Sequence, residues 1–133
     1  MSINQISIVG SGHTKFGNLK EQNLESLIVE AAKEALNDAR ISGADIDAVF
    51  LGHFNAGMVP DSFASSLIHQ ADEELRFKPA MRCENACASG AAAISAGINS
   101  ILAGRANTVL VVGAEKMSAN STSEVTKSLT QAG

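Results

Sequence analysis

The sequence predicts an α/β fold in which a mixed, mostly parallel sheet carries helices on both faces. Short apolar runs of strand length alternate with segments whose apolar residues recur at helical spacing. The run from Thr108 to Val112 is almost continuously apolar, which is typical of a parallel strand covered on both sides. Repeated strand–helix–strand units imply right-handed crossovers, which place the connecting helices over the sheet.

Each element follows from its own local pattern. Leu24, Ile28 and Leu36 belong to the apolar face of the first helix, and Asn23 is a suitable N-cap for it. Asp61 is a candidate cap for the second helix, and the Ser/Thr-rich chain from residue 118 predicts a loop or frayed tail. The predicted strands are residues 6–9, 46–51, 80–84 and 108–112. The predicted helices are residues 24–36, 61–70 and 88–103.

The third predicted helix is unusual because no charged residue occurs between Ala86 and Gly104. Its small and apolar residues lie on all sides, which is typical of a helix that is buried all round. One sheet can cover only one side of it, and a domain of this size leaves the other side bare. An exposed apolar patch of that size usually marks an interface. The sequence therefore predicts a missing layer, supplied by another chain or by further polypeptide.

Composition excludes several classes of function. With a net charge of -4, 4% aromatic residues and no Trp or Tyr, the chain has neither the basic patch nor the stacking groups of a nucleic-acid-binding protein. The uncharged stretch is too rich in glycine and serine for a membrane span. No targeting segment precedes the first strand pattern, and two cysteines do not make a disulfide framework. We therefore expect a soluble, cytoplasmic protein.

Cys87 is the candidate nucleophile. It lies where a predicted strand meets the uncharged helix, so unpaired backbone N–H groups and the helix dipole favour the thiolate, the nucleophilic form of the side chain. Ser89 and Gly90 follow, and their small size lets a substrate carbonyl approach the sulfur and the backbone N–H groups. The alternative reading is a small buried hydrophobic residue, as most free cysteines are.

The other candidate groups are weaker. We interpret Cys83 as structural, because a metal site would need further His or Cys ligands close by and none occurs there. A regulatory disulfide between the two cysteines is the less favoured alternative. His13, His53 and His69 are isolated in sequence, and none has a spacing that indicates a general base. The Gly-Ser-Gly after the first predicted strand lacks the third glycine of a dinucleotide-binding motif.

The motif Asn-Ala-Cys-Ala-Ser-Gly around Cys87 resembles the thiolase family, near its archaeal-type and sterol-carrier-protein-type members. Two further stretches, at residues 12–17 and 113–118, look like the turn after the first strand and the motif that closes the fourth strand of those enzymes. The related ketoacyl synthases share the cysteine elbow, but Glu-Lys-Met-Ser from residue 115 favours thiolases. The resemblance implies the amino-terminal half of a thiolase core over residues 1–117, followed by the start of a loop domain over residues 118–133.

The resemblance also implies an activity. In the family, the cysteine that matches Cys87 takes an acyl group from a coenzyme A thioester, and its backbone N–H helps to hold the oxyanion. A carbon–carbon bond then forms with an acetyl-CoA carbanion, or a 3-oxoacyl-CoA is cleaved in the reverse direction. Neither a metal nor a bound cofactor is implied. Family members are at least dimers, and the strand from Ala80 to Glu84 would pair with its twin.

The catalytic histidine, the second cysteine and the asparagine motif of the family lie in the second half, and nothing in these 133 residues matches them. We therefore expect the chain alone to be inactive as a complete thiolase. Three readings stay open at this point. The first is the amino-terminal half of a thiolase, either a fragment of a longer enzyme or one half of an enzyme completed by a second polypeptide. The others are a non-catalytic interaction module and, less favoured, a simple acyl carrier that uses Cys87.

Overall fold

The computed structural model describes residues 5–131 and forms an α/β layered structure. Its parallel sheet has the strand order β2-β1-β3. The strands are β1 (Ala48–Gly52), β2 (Ala80–Cys83) and β3 (Val109–Gly113). The α-helices are α1 (Leu24–Ala39), α2 (Ser89–Leu102) and α3 (Thr122–Leu129). Short 3-10 helices at Gly43–Asp45, Ala64–Ala71, Glu73–Leu75 and Met117–Ala119 connect them. The predicted fold class is confirmed.

Helix α1 begins where the sequence predicts it. The Asn23 side chain accepts a hydrogen bond from the Ser26 N–H at 2.8 Å, and the Ser26 hydroxyl accepts one from the Asn23 N–H, which forms a capping box. The apolar face of α1 is fully buried. Arg40 ends the helix in a left-handed conformation, so the chain turns back towards β1.

The two faces of the sheet are covered by different helices. Val49 and Leu51 of β1 point into a core shared with α1 and with the 3-10 helix at Ala64–Ala71. On the opposite face, α2 packs across the strands at Gly97, where an added Cβ would lie 3.1 Å from methyl groups of Val109 and Val111. Glycine at this position therefore lets α2 lie close to the sheet.

The outer face of α2 is bare, as the sequence predicts. Ile94, Ile98 and Leu102 recur at helical spacing and are 51%, 38% and 52% exposed. These three large aliphatic side chains form an apolar stripe. Exposing such surface to water costs about 25 cal/mol per Å². We name this stripe the outer α2 face. Within residues 5–131, no helix is long and apolar enough to cross a membrane.

The first predicted strand is wrong. Residues 6–9 have the apolar pattern of a strand but form none, and Ile8 is 91% exposed. The chain just after it, residues 10–13, lies along α1. Added Cβ atoms at Gly10 and Gly12 would fall 2.5 and 2.2 Å from carbonyl oxygens of α1, so these glycines permit the contact. A strand needs a hydrogen-bonded neighbour, and the described chain provides none here.

Two local predictions also need correction. The second helix is a 3-10 helix that begins at Ala64, and its N-cap position is Phe63, so Asp61 does not cap it. The polar segment predicted to be a loop or tail contains α3, whose start is fixed by a capping box between Ser121 and Glu124. These caps stabilise a helix that has few apolar residues.

Candidate active site

The candidate nucleophile lies on a tight turn between β2 and α2. The N–H of Ala88 donates to the Asn85 carbonyl at 2.8 Å, and the N–H of Ser89 donates to the Ala86 carbonyl at 3.2 Å. Ala86 adopts a left-handed conformation with φ 44°, which costs a residue with a Cβ about 1–3 kcal/mol. We name residues 84–89 the elbow. Cys87 is next to the strained residue, and its side chain is free and exposed.

The elbow is held by two side chains of its own. The Ser89 hydroxyl accepts from the Asn85 N–H at 2.9 Å and donates to the Ala86 carbonyl at 2.7 Å. The Glu84 carboxylate accepts from the Ala86 N–H at 2.6 Å. Both peptide groups of Ala86 are thus bonded, which explains how a left-handed alanine persists there. Ser89 itself is buried, so its hydroxyl serves the elbow.

A contact between two glycines joins the elbow to the central strand. An added Cβ at Gly52, the last residue of β1, would lie 2.7 Å from the Gly90 Cα and 2.7 Å from the Ser89 carbonyl oxygen. The first turn of α2 therefore rests directly on the backbone of β1. The Cβ direction of Gly90, in contrast, meets nothing within 4 Å. Gly52 is required by packing, whereas Gly90 faces open space beside Cys87.

A cleft of about 410 Å³ opens beside the cysteine at the carboxyl ends of the strands. Its lining comprises the elbow, Phe54 after β1, Glu115 and Met117 after β3, and Leu129 of α3. Ligands of parallel α/β sheets usually bind at this edge. The cleft thus has one exposed thiol, one carboxylate and an apolar wall formed by Phe54, Met117 and Leu129. Cys83 is half-buried at the end of β2, and burial raises the pKa of its thiol, which fits a structural role.

Behind the cleft, the segment after β1 is fixed by side chains from both neighbouring strands. The Arg82 guanidinium donates to the carbonyls of His53 and Phe54 at 2.9 and 2.8 Å. The Glu115 carboxylate accepts from the N–H groups of Phe54 and Asn55. These contacts hold both the carbonyl and the N–H of Phe54 on the wall of the cleft.

His53 is completely buried and, like Arg82 and Glu115, its side chain contacts the backbone behind the cleft. Its Nδ1 lies 2.8 Å from the Ala114 carbonyl oxygen and 3.4 Å from Oε1 of Glu115. Because a carbonyl oxygen only accepts, Nδ1 carries a proton. Nε2 has no hydrogen-bond partner among the described residues. A buried polar nitrogen without a partner costs about 1–3 kcal/mol, so this histidine is retained against a penalty.

The Glu115 carboxylate is ionised at neutral pH. Partial burial opposes ionisation, but the hydrogen bond and charge of His53 and the N–H groups of Phe54 and Asn55 outweigh it. The pKa of Glu115 therefore lies below the ordinary glutamate value. Since these donors already bind the carboxylate, it is not free to act as a general base towards a substrate in the cleft.

Acid should weaken the fold partly through Glu115. A carboxyl group whose pKa is lowered by folding stabilises the protein above its unfolded pKa, and this contribution is lost as the pH falls through its folded pKa. We expect the free energy of unfolding in urea to decrease as the pH falls below the ordinary pKa of glutamate. The decrease should be smaller in the Glu115→Gln variant. Parallel pH profiles of the two proteins would contradict this role. The pKa values of Asp47 and Glu124 are also lowered, so part of the pH dependence of stability should remain in both the parent protein and the variant.

Sequence reasoning found Cys87 but missed the polar groups behind it. His53 is isolated in the sequence, yet it contacts the Ala114 carbonyl, 61 positions away in the chain. No spacing rule reports such a contact. His69 is a half-buried residue whose Nε2 lies 3.1 Å from the Lys78 carbonyl oxygen. His13 is exposed and contacts the Thr14 carbonyl.

The fold and the site define an α/β domain with a cysteine elbow at the carboxyl edge of a parallel sheet. Residues 6–132 match the family model described as thiolase, N-terminal domain. The chain belongs to the thiolase family.

Relatives from two archaea agree with this assignment. The chain is 42% identical over 113 residues to an acetyl-CoA acetyltransferase of Methanocaldococcus jannaschii, which covers 84% of this chain and 29% of the relative. It is 39% identical over 114 residues to the acetyl-CoA acetyltransferase of Methanothermobacter thermautotrophicus, with the same coverage of 84% and 29%.

A solved structure supports the fold. The crystal structure of 3-oxoacyl-[acyl-carrier-protein] synthase III from Aquifex aeolicus superimposes with a TM-score of 0.62 at 26% identity, over 74% of this chain and 32% of that chain. This chain spans less than a third of the length of each of these three proteins.

Proposed function

We propose that the chain is the nucleophile-bearing part of an acyl-CoA C-acyltransferase of the thiolase type. The observation that carries the proposal is the exposed Cys87 thiol on a strained elbow beside a cleft. Strained backbone at a nucleophile is typical of a site that presents one side chain in a fixed direction. The acetyl-CoA acetyltransferases among its relatives support a coenzyme A thioester as the substrate class.

The proposed first step transfers an acyl group to the protein. Cys87 Sγ attacks the thioester carbonyl, an S–C bond forms, and the bond between the carbonyl carbon and the coenzyme A sulfur breaks. The proton of the thiol leaves with coenzyme A, so the products are an acyl-cysteine and free coenzyme A. Gly90 leaves space for the thioester, and Ser89 acts by holding the elbow. No metal or cofactor takes part in this step.

The second step needs groups that the cleft does not present. Of the side chains lining it in the described chain, only Cys87 and Glu115 titrate, and Glu115 is bound to backbone N–H groups. A carbanion of acetyl-CoA requires a free base. We propose that a second polypeptide segment supplies this base and covers the outer α2 face. Polypeptide outside residues 1–133 or a separate subunit would serve equally, and the complete reaction depends on it.

A non-catalytic interaction subunit is the second candidate function. It is favoured by the outer α2 face, which is apolar and bare. β2 is also an edge strand of the sheet, so its free edge offers a place for a homodimer through the strand from Ala80 to Glu84. Both features serve an assembly whether or not Cys87 reacts. The two free cysteines fit a reducing cytoplasm, which we propose as the compartment for either function.

The first experiment is intact-mass spectrometry of the purified chain after incubation with acetyl-CoA. We expect one acetyl adduct on the parent protein and on Cys83→Ser, and none on Cys87→Ser. Iodoacetamide serves as a control that reports an accessible thiol independently of thioester chemistry. An elbow that is alkylated by iodoacetamide but never acylated would contradict the catalytic proposal and favour the interaction subunit.

Gly90→Ala tests whether the open side of α2 receives the thioester. Because its Cβ would meet nothing within 4 Å, we expect the variant to fold with unchanged or slightly higher stability, by up to about 1 kcal/mol. Acylation by acetyl-CoA should slow about tenfold, since Gly90 and Cys87 line the same cleft and the methyl group narrows it. Thermal unfolding and the rate of adduct formation measure the two effects. Unaltered acylation would show that the substrate does not pass Gly90.

A further inference from the structure

The wall of the cleft opposite the elbow is unusually well fixed for a loop. Phe54 and Asn55 follow His53 after the central strand, and their N–H groups both donate to Glu115. The Asn55 side chain bonds the backbone of Val59 through two contacts, at 2.9 and 3.2 Å. Asn55 and the next residue, Ala56, have φ values of 64° and 46°, so the loop is strained as well as bonded.

Two buried groups hold Glu115 in place. His53 donates from Nδ1 towards the Ala114 carbonyl and the Glu115 carboxylate. Its Nε2 is completely buried and has no hydrogen-bond partner within residues 5–131. Lys116, which is also buried, donates from Nζ to the Leu19 carbonyl at 2.6 Å and so fixes the chain on the other side. Polar groups retained at such a penalty usually serve a site and not the stability of the fold.

The fixed wall is apolar where it meets the cleft. Phe54, Met117 and Leu129 line it together with Cys87. A group attached to the cysteine sulfur therefore has an aromatic and aliphatic surface within the same 410 Å³ space. Such a pocket discriminates one methylene group by about 10- to 200-fold, provided that its wall does not move.

We propose that Glu115, supported by His53, is a positioning residue that fixes Phe54 as the chain-length gauge for the acyl group on Cys87. This inference rests on the proposed function, because an acyl group is the natural occupant of the cleft. Glu115 does not touch the reacting atoms; it acts through the backbone of Phe54 and Asn55. The favoured occupant is a short, uncharged, aliphatic chain, since a carboxylate in the cleft repels anionic chains.

The test uses probes that do not depend on thioester chemistry. Cys87 is labelled with N-ethylmaleimide and with N-hexylmaleimide in a Cys83→Ala background. The ratio of the two labelling rates shows how strongly the wall of the cleft discriminates between the short and the long alkyl group. The same ratio in urea-unfolded protein gives the value without a wall. In Glu115→Gln we expect the ratio to move about fivefold towards the unfolded value. The amide resonances of Phe54 and Asn55 should shift in the same variant.

A matched control is Asp47→Asn. Asp47 also accepts hydrogen bonds from two backbone N–H groups, those of Asn107 and Thr108, but at the other end of the sheet. Its loss should leave the maleimide ratio unchanged. Phe54→Leu is a second variant that alters the wall without touching the carboxylate, and it should move the ratio in the same direction as Glu115→Gln.

The outcomes separate the two proposals. Ratios that stay constant in both Glu115→Gln and Phe54→Leu would overturn the gauge, whether or not acetyl-CoA acylates the protein. A changed ratio in Phe54→Leu alone would overturn the role of Glu115. A changed ratio in both variants supports the gauge. If acetyl-CoA then fails to acylate Cys87 in the parent protein, the proposed function is contradicted, but the role of Glu115 in fixing Phe54 is not.

Discussion

Replacing Gly52 with alanine is expected to destabilise the protein by about 2–3 kcal/mol, at the upper end of the usual cost of overpacking. The new Cβ would lie 2.7 Å from the Gly90 Cα and 2.8 Å from its nitrogen. Both are backbone atoms in the first turn of α2, so no side chain can move aside. The helix must shift away from β1, and the elbow that carries Cys87 must shift with it. Urea unfolding measures the loss of stability.

The structure offers a matched control for this substitution in the neighbouring strand. Gly113 ends β3 and pairs with Gly52 in the sheet register, yet its Cβ direction meets nothing within 4 Å. Gly113→Ala should change the free energy of unfolding by less than about 0.5 kcal/mol. Equal effects of the two substitutions would mean that strand-end conformation, and not contact with α2, determines the cost. A Gly52→Ala protein of normal stability would remove the proposed support of the elbow altogether.

The central strand was predictable because it is buried on both faces. Val49 and Leu51 pack against α1, while Phe50 faces α2, so β1 has no polar side and its apolar run is conspicuous. The same reasoning failed at residues 6–9. Their pattern is as apolar as that of a true strand. An apolar pattern shows that the side chains favour burial, but it does not show that a neighbouring strand is present to pair with them.

Helix α3 was missed for the opposite reason. Its sequence has little apolar periodicity, and the helix depends on a hydrogen-bonded cap between Ser121 and Glu124. Capping boxes are readable from sequence, and the Ser-x-x-Glu spacing at these positions was the available signal. The division at residue 117 into a core and a loop domain remains a proposal.

The site was predictable only where its residues are adjacent in the chain. Cys87, Ser89 and Gly90 form one short motif, and the turn between a strand and a helix is visible in the sequence. Glu115 and His53 come together because β1 and β3 are neighbours in the sheet and end at the same level. That proximity is a property of strand order, which periodicity does not determine.

Ser89→Ala is expected to loosen the elbow that presents the thiol. The substitution leaves the Asn85 N–H without its acceptor and removes the bond to the Ala86 carbonyl, at a cost of about 1 kcal/mol. The left-handed conformation of Ala86 then loses part of its support. We expect lower stability in urea and a changed rate of Cys87 alkylation by iodoacetamide. Ser95→Ala is the control, since Ser95 lies exposed in the middle of the same helix.

A second substitution separates elbow strain from loss of a helix-start hydrogen bond. Glycine adopts positive φ without the steric cost that alanine bears, so Ala86→Gly should recover part of the stability lost in Ser89→Ala. In the parent protein Ala86→Gly should be neutral or stabilising by about 1 kcal/mol. If the double variant is no more stable than Ser89→Ala, the serine acts only as a hydrogen-bond partner of the backbone. Recovery of both stability and the alkylation rate would show that Ser89 serves to hold Ala86 in the conformation that presents Cys87.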